Sequence, residues 1–572
     1  MSIQFFRRNV FLFVGALLLL RPSAHAETRA VCSRDGVVVT ASAPATAVGL
    51  EVLKRGGNAV DAAVAVGFAL AVTYPQAGNI GGGGFMLVRL ESGRTGFIDF
   101  RETAPRASSR DMYLDSLGRP FENMSLLGAM ASGVPGTVAG LYKAHELYGS
   151  LPWRELLRPA VSLARSGFAV SERLASSLKQ LQPYKERFPV LVQFMRKDGA
   201  ALEPGDTLRQ ETLAETLERI ADAGPDAFYR GPVAEAIVAE MQSSGGIISK
   251  EDLAGYAVRE RDPVRGLYHG YEIISAPPPS SGGTTLIEIL NIVEGFDLGA
   301  MGFMSDRSVH CVVEAERRAY ADRARYLGDP DFVDNHVSHL ISKEYAAALR
   351  ESITPTATPS SDLSPQPHAD REKKETTHYS IVDGKGNAVA VTYTLNDSYG
   401  SKVLVRGAGF LLNNEMDDFS IKAGHPNLYG LVGSEANAIE PGKRMLSSMA
   451  PTIVLKNAHL FLIVGTPGGA TIVTTVAQII MDTVDFGMSL EEAVSAPRYH
   501  HQWLPDRITV EKGMLGIYLR GSLMERGYSI EDRETPIGDA QVIEVVGSAA
   551  CGMSDPRGDG SAGGVESAQP HR

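Results

Sequence analysis

Cysteine is nearly absent from this chain, with three in 572 residues, Cys32, Cys311 and Cys551. Their odd number and wide spacing exclude a disulfide-stapled scaffold and any cysteine-based metal motif. Buried free thiols are the expectation, with a single disulfide left open. Also lacking is an apolar run long enough to span a bilayer, which takes roughly 20 residues. The stretch Val10–Leu20 is too short, and it lies between Arg7-Arg8 and the small-x-small site Ala24-His25-Ala26. That is the pattern of a cleaved export leader over residues 1–26, fitting general secretion better than the twin-arginine route. Basic excess is missing too. Lys and Arg number 55 against 67 Asp and Glu, a net charge of −12, more negative still without the leader's arginines. Such a chain has no general electrostatic footprint for nucleic acid.

Three ligand motifs are absent as well. The run Gly81-Gly82-Gly83-Gly84 is followed by neither Gly-Lys-Ser/Thr nor a helix, so it is no phosphate loop; close approach of another backbone is expected there. Asn413-Asn414-Glu415-Met416-Asp417-Asp418 lacks EF-hand spacing, and His500-His501 lack acidic or cysteine partners at ligand spacing. No metal site is expected.

What is present is an ordinary folded composition, 44% hydrophobic and 21% charged, with 59 glycines that imply many tight turns. The length admits several domains or one large layered α/β unit. Gly36–Ala71 reads as a strand and long small-residue helix interrupted by the turn Gly56-Gly57-Asn58, and Phe85–Leu90 as a strand. From about Gly133 to Arg350 the pattern is mostly helical. The charges of Ser308–Tyr326 are expected on a solvated face or in ion pairs. The loop Pro277–Gly283 precedes a helix starting near Thr284. Ile353–Lys374 reads as a flexible linker, and residues after about 558, rich in Gly and Ser, as a disordered tail.

Past the linker, strands dominate. Tyr379–Val382 and Ala388–Thr394 flank the hairpin turn Asp383-Gly384-Lys385-Gly386-Asn387. Leu460–Val464 runs through Gly465-Thr466-Pro467-Gly468-Gly469 into a helix over Thr471–Val484, and a further helix covers Leu490–Ser495. Thr376 stands at the entry to this region. Inside a chain its hydroxyl is a weak nucleophile. Cutting the Glu375–Thr376 bond would give it an α-amine of pKa about 7.7–8.0, against about 10.4 for lysine, so one residue would supply nucleophile and base. Alternation puts Thr392 and Thr394 on one strand face, and either can approach Thr376. The Gly468-Gly469 turn presents backbone N–H groups at a helix start, which suits an oxyanion. Arg101 can grip a carboxylate through two parallel hydrogen bonds. The acidic cluster around Glu415 can take an ammonium.

These segments, in this order from about Gly36 to Arg557, closely resemble γ-glutamyltranspeptidases (glutathione hydrolases), of the N-terminal-nucleophile hydrolase superfamily. The resemblance implies a four-layer αββα sandwich. It implies a precursor that cuts itself into a large subunit, 27–375, and a small one, 376–572, which stay paired. It assigns Thr376 as nucleophile, Thr394 as its hydrogen-bonding partner, and Gly468 and Gly469 as oxyanion donors. Arg101, Ser447 and Ser448 would hold the donor's α-carboxylate; Asn396, Glu415 and Asp418 would hold its α-amine. Pro426–Asn437 would be a lid whose Tyr429 reaches Asn396. Glutathione-like γ-glutamyl donors are implied, with water, an amino acid or a dipeptide as acceptor. No cofactor is implied, and the location is periplasmic or secreted. The rival readings are a glutaryl (β-lactam) acylase of the same fold and an uncleaved, catalytically silent binding protein.

Overall fold

The structure is a computed structural model that describes residues 29–363 and 376–566. The leader, the end of the expected linker from residue 364 with Glu375, and the last six residues of the expected tail lie outside the described residues. Two seven-stranded antiparallel sheets stack face to face. In the first the strands run Ser561–Gly564, Gly36–Thr40, Thr377–Asp383, Ala388–Thr394, Gly83–Arg89, Thr95–Asp99, Arg259–Arg261. The second runs Val31–Ser33, Ala549–Ser554, Gln541–Val546, His459–Val464, Thr452–Lys456, Tyr271–Ser275, Val264–Tyr268.

The period-2 rule of a strand sorts the layers. Val38, Ile381, Val389 and Val391 point outward into a core with the fully buried helix Ala59–Thr73. Val37, Val39, Val382, Ala388 and Ala390 point inward and meet Ile463 and Ile543 of the second sheet. Helices Gly282–Val293 and Thr471–Val484 cover that sheet's far side and share its core. The result is the expected αββα order. Even-numbered residues of Thr377–Asp383 therefore face the space between the sheets.

Four expectations change. Cys32 and Cys551 are bonded to each other, and only Cys311 is a buried free thiol among the described residues. The pair are register partners on adjacent antiparallel strands, a juxtaposition of residues 519 apart that spacing does not reveal. The expected disordered tail includes a strand, Ser561–Gly564, paired with Gly36–Thr40. Its glycines are there for room: a Cβ at Gly563 would collide with Leu50. The first part of the expected flexible linker is docked. Thr358 Oγ1 donates to Glu314 Oε2 at 2.6 Å, and Trp503 Nε1 donates to the Ser360 carbonyl at 2.9 Å. Glu314 is itself paired with Arg317 and Arg318, each at 2.6 Å, and all three are buried, so those charges form an ion-pair network and no solvated face. Finally, the helical middle third contains three short strands between Arg259 and Ser275. No helix among the described residues is long and apolar enough to cross a membrane.

Candidate active site

Thr376 is buried immediately before the strand Thr377–Asp383. Thr377 pairs with Tyr393, so the next step of the antiparallel register sets Thr376 opposite Thr394. Both threonines line one small cavity of about 20 Å³. The choice between Thr392 and Thr394 is thereby made. Thr392 Oγ1 lies 2.8 Å from His378 Nδ1, two pairs further into the sheet. Ser380 Oγ donates to the Gln541 carbonyl at 2.8 Å, so at 3.1 Å from His378 Nε2 it accepts that nitrogen's proton. Nδ1 is then the acceptor for Thr392. Burial pushes the imidazole down to about 3, so it stays neutral between the sheets, and Ser380 carries the hydrogen bond across to Gln541. The sequence reading passed over His378; its even-numbered position beside Thr376 was the available signal.

The glycine run at the start of Gly83–Arg89 supports the strand of Thr394 from its other side. A Cβ at Gly82 would collide with the Thr394 carbonyl, and one at Gly84 with the Thr392 carbonyl. Asn79 Nδ2 donates to the Thr394 carbonyl at 2.9 Å, while its Oδ1 accepts from Gly82 N at 2.9 Å. Close backbone approach is what these glycines permit.

Arg101, Asn396 and Asp418 also line the cavity, with Ser447, Ser448, Tyr429 and Gly469. Arg101 is fully buried and forms ion pairs with Glu415 Oε2 at 2.7 Å and Asp418 Oδ2 at 2.6 Å, with Glu102 3.9 Å away. Glu415 is aimed at Arg101 and does not line the cavity itself. Burial raises the Asp418 and Glu415 carboxyls, Arg101 only partly offsetting it, and pushes Glu102 up to about 8. Three acids thus crowd one guanidinium, so the cluster either keeps a proton or accepts a second cation. An incoming ammonium is such a cation.

Ser447 and Ser448 are set by the Pro277–Gly283 loop. Ser447 N donates to the Pro279 carbonyl at 2.9 Å, and Ser281 N to the Ser447 carbonyl at 2.8 Å. Arg323 Nε donates to Ser281 Oγ at 2.9 Å, and its Nη2 to Ser448 Oγ at 3.2 Å. Arg323 was not among the expected site residues, because the helix Asp306–Tyr326 carries so many charges that periodicity does not single it out.

Gly468 and Gly469 adopt φ of 139° and 57°, conformations that favour glycine, ahead of the helix Thr471–Val484. A Cβ at Gly469 would collide with the Tyr429 ring. Tyr429 in turn donates from Oη to the Asn396 carbonyl at 2.6 Å, and Asn396 N donates to Thr394 Oγ1 at 2.8 Å. Asn427 Nδ2 donates to Asp418 Oδ1 at 2.9 Å, and Gln502 Nε2 to the Tyr429 carbonyl at 3.0 Å. These bonds hold residues 426–437 against the site, where Tyr429 and Leu431 line the same cavity as Thr376. Gly468 and Asp397 line a second cavity, of about 760 Å³, while their neighbours Gly469 and Asn396 line the first. The wall between the two is about one residue thick, and Tyr429 closes it. The arrangement offers a hydroxyl nucleophile, a partner hydroxyl, backbone donors, and a charged wall fit for a zwitterion.

Comparison with known proteins identifies the family and the fold. The family model for γ-glutamyltranspeptidase matches residues 45–565. The glutathione hydrolase proenzyme of Escherichia coli (strain K12) is 50% identical over 533 residues, 92% of this chain and 91% of that protein. Among solved structures, a cephalosporin acylase from Bacillus halodurans superposes with a TM-score of 0.84 at 27% identity, covering 96% of this chain and all of that one. A γ-glutamyltranspeptidase chain from Helicobacter pylori, 47% identical, covers 56% of this chain and 93% of its own length, with a TM-score of 0.56.

Proposed function

Because this chain belongs to the γ-glutamyltranspeptidase family, as the match over residues 45–565 establishes, we propose that it is a self-processing γ-glutamyltransferase and glutathione hydrolase. The carrying observation is Thr376 opposite Thr394 at the head of a central strand, within one cavity with Arg101, Asp418 and Gly469. Thr376 Oγ first attacks the Glu375 carbonyl, and as the ester forms the Glu375–Thr376 C–N bond breaks and frees the α-amine of Thr376. Water then hydrolyses the ester, releasing the Glu375 carboxylate, restoring the Thr376 hydroxyl and leaving subunits 27–375 and 376–572, which remain paired. In each later turnover that α-amine accepts the hydroxyl proton while Oγ attacks the γ-glutamyl carbonyl. Thr394 orients the hydroxyl, and the N–H groups of Gly468 and Gly469 stabilise the oxyanion. The proton passes to the leaving amine. Water, an amino acid or a dipeptide then takes the γ-glutamyl group from its threonine ester. Arg101, Ser447 and Ser448 take the α-carboxylate of glutathione-like donors, with Arg323 behind Ser448. Asp418, Asn396 and the Glu415 charge take the α-amine. The leader sends the protein out of the cytoplasm.

N-terminal sequencing of the smaller fragment tests the processing step: it begins at Thr376, and Thr376→Ala protein stays one chain. A fragment starting elsewhere, or splitting of the alanine variant at this bond, defeats the mechanism. A glutaryl donor would leave the acidic cluster without its ammonium, since it has no α-amine. Hydrolysis of γ-glutamyl-p-nitroanilide therefore exceeds that of the glutaryl analogue by at least about 100-fold in kcat/KM, the worth of about 3 kcal/mol for a buried charge left unpaired. Equal rates on the two would favour the acylase reading.

A further inference from the structure

From the Cys32–Cys551 pairing we infer that the mature protein is one covalent molecule, its two halves joined by a disulfide across the subunit boundary. The inference rests on the proposed cut before Thr376. Cys32 lies in the edge strand Val31–Ser33, on the large-subunit side of that cut. Cys551 lies in Ala549–Ser554, on the small-subunit side. The two strands are antiparallel neighbours, with Cys32 directly opposite Cys551 and flanking pairs Val31–Gly552 and Ser33–Ala550. Their Cβ atoms therefore meet on one face of the ladder, as a disulfide requires.

The pairing has no competitor. Cys311, the remaining cysteine, is buried, and burial pushes its thiol up to about 11, so it holds little thiolate for exchange. Cys32 is exposed at the sheet edge and reachable from solvent. Formation is a two-electron step. The two thiols release two protons and two electrons to a disulfide-bearing oxidant of the export compartment, which becomes a dithiol, while one bond forms between the Sγ atoms.

A consequence follows for folding. Two non-covalent halves separate on unfolding, and their reassembly depends on concentration. Tethered halves unfold and refold as a single molecule, with an effective concentration set by the chain.

The test uses exported protein, denatured with a thiol-alkylating agent and run on gels with and without reductant. One full-length-sized band without reductant and two with it are expected. Cys551→Ser protein gives two bands in both lanes and keeps near-wild-type turnover, since neither cysteine touches the site. The unreduced, denatured protein alkylates one cysteine, and the reduced protein three. Three alkylated cysteines without reductant overturn the tether. One alkylated cysteine with a single band in both lanes leaves the disulfide intact and refutes the cut, and with it the joining of two halves. For the folding consequence, recovery of activity after dilution from urea is measured over a hundredfold range of protein concentration. Recovery stays constant for the oxidised protein and falls by about tenfold or more for Cys551→Ser. Equal curves overturn the unimolecular claim.

Discussion

Two buried histidines, His378 near Thr376 and His500 against Thr474 of the helix Thr471–Val484, make the fold sensitive to acid. Burial lowers both imidazoles from the usual 6.5 to about 3, so the fold holds them neutral. Between those values the unfolded chain binds a proton at each histidine that the folded chain refuses, and stability falls as pH drops below 6.5. Each histidine contributes about 1.4 kcal/mol per pH unit in that window. Urea midpoints should thus fall from pH 6.5 to pH 5.5 by the equivalent of about 1 kcal/mol for each of the two, about 2 kcal/mol together, before most carboxylates titrate. Burial lowers His310 and His501 as well, so His500→Asn should make the slope shallower by one histidine's share and not abolish it. A flat profile over this window would show that the histidines are not held neutral. His378 also illustrates what a linear reading misses. Its neighbour Thr376 stood out through the chemistry of an N-terminal hydroxyl, whereas His378 acquires meaning only once Ser380 and Gln541 are seen to fix its tautomer.

At the scale of elements, the hairpin around Asp383–Asn387, the helix Thr471–Val484 and the glycine turn before it were legible because period-2 and period-3.6 patterns and glycine turns are local signals. The strands between Arg259 and Ser275 were not. They are short and lie at or near sheet edges; Val264–Tyr268 and Tyr271–Ser275 form a local hairpin, but Arg259–Arg261 and the other side of Tyr271–Ser275 pair with strands more than a hundred positions away. The lid combines both kinds of information. The family resemblance marked it out, but only the fold brings the Tyr429 ring against Gly469 and its hydroxyl onto the Asn396 carbonyl. Gly469→Ala forces a strained φ and pushes the ring away, displacing an oxyanion donor. The expected loss in kcat is about 10²–10³-fold, with the protein still cut and folded. Tyr429→Phe removes only the hydroxyl bond, worth about 1 kcal/mol, and should raise KM severalfold with little change in kcat. If Gly469→Ala turned over normally, the turn would not be the oxyanion site.

For the whole molecule, strand order matters more than any single contact. Thr377–Asp383 and Ala388–Thr394, from the small half, lie between Gly36–Thr40 and Gly83–Arg89 of the large half. In the second sheet Thr452–Lys456 of the small half pairs with Tyr271–Ser275 of the large one, and Val31–Ser33 of the large half closes the far edge. Neither half contains a complete sheet, so each alone would expose unpaired strand edges and both faces of an open core. Folding must therefore precede the cut, which explains why the nucleophile is carried within the chain until the sheets have closed. Co-producing Glu27–Glu375 and Thr376–Arg572 as separate polypeptides tests this. Each half alone should be insoluble or protease-sensitive, and together they should recover less than about a tenth of the activity obtained from the intact precursor, because non-local β pairing between separate chains is slow and competes with aggregation. Full activity from independently folded halves would mean that the central sheet does not need both parts of the chain at once.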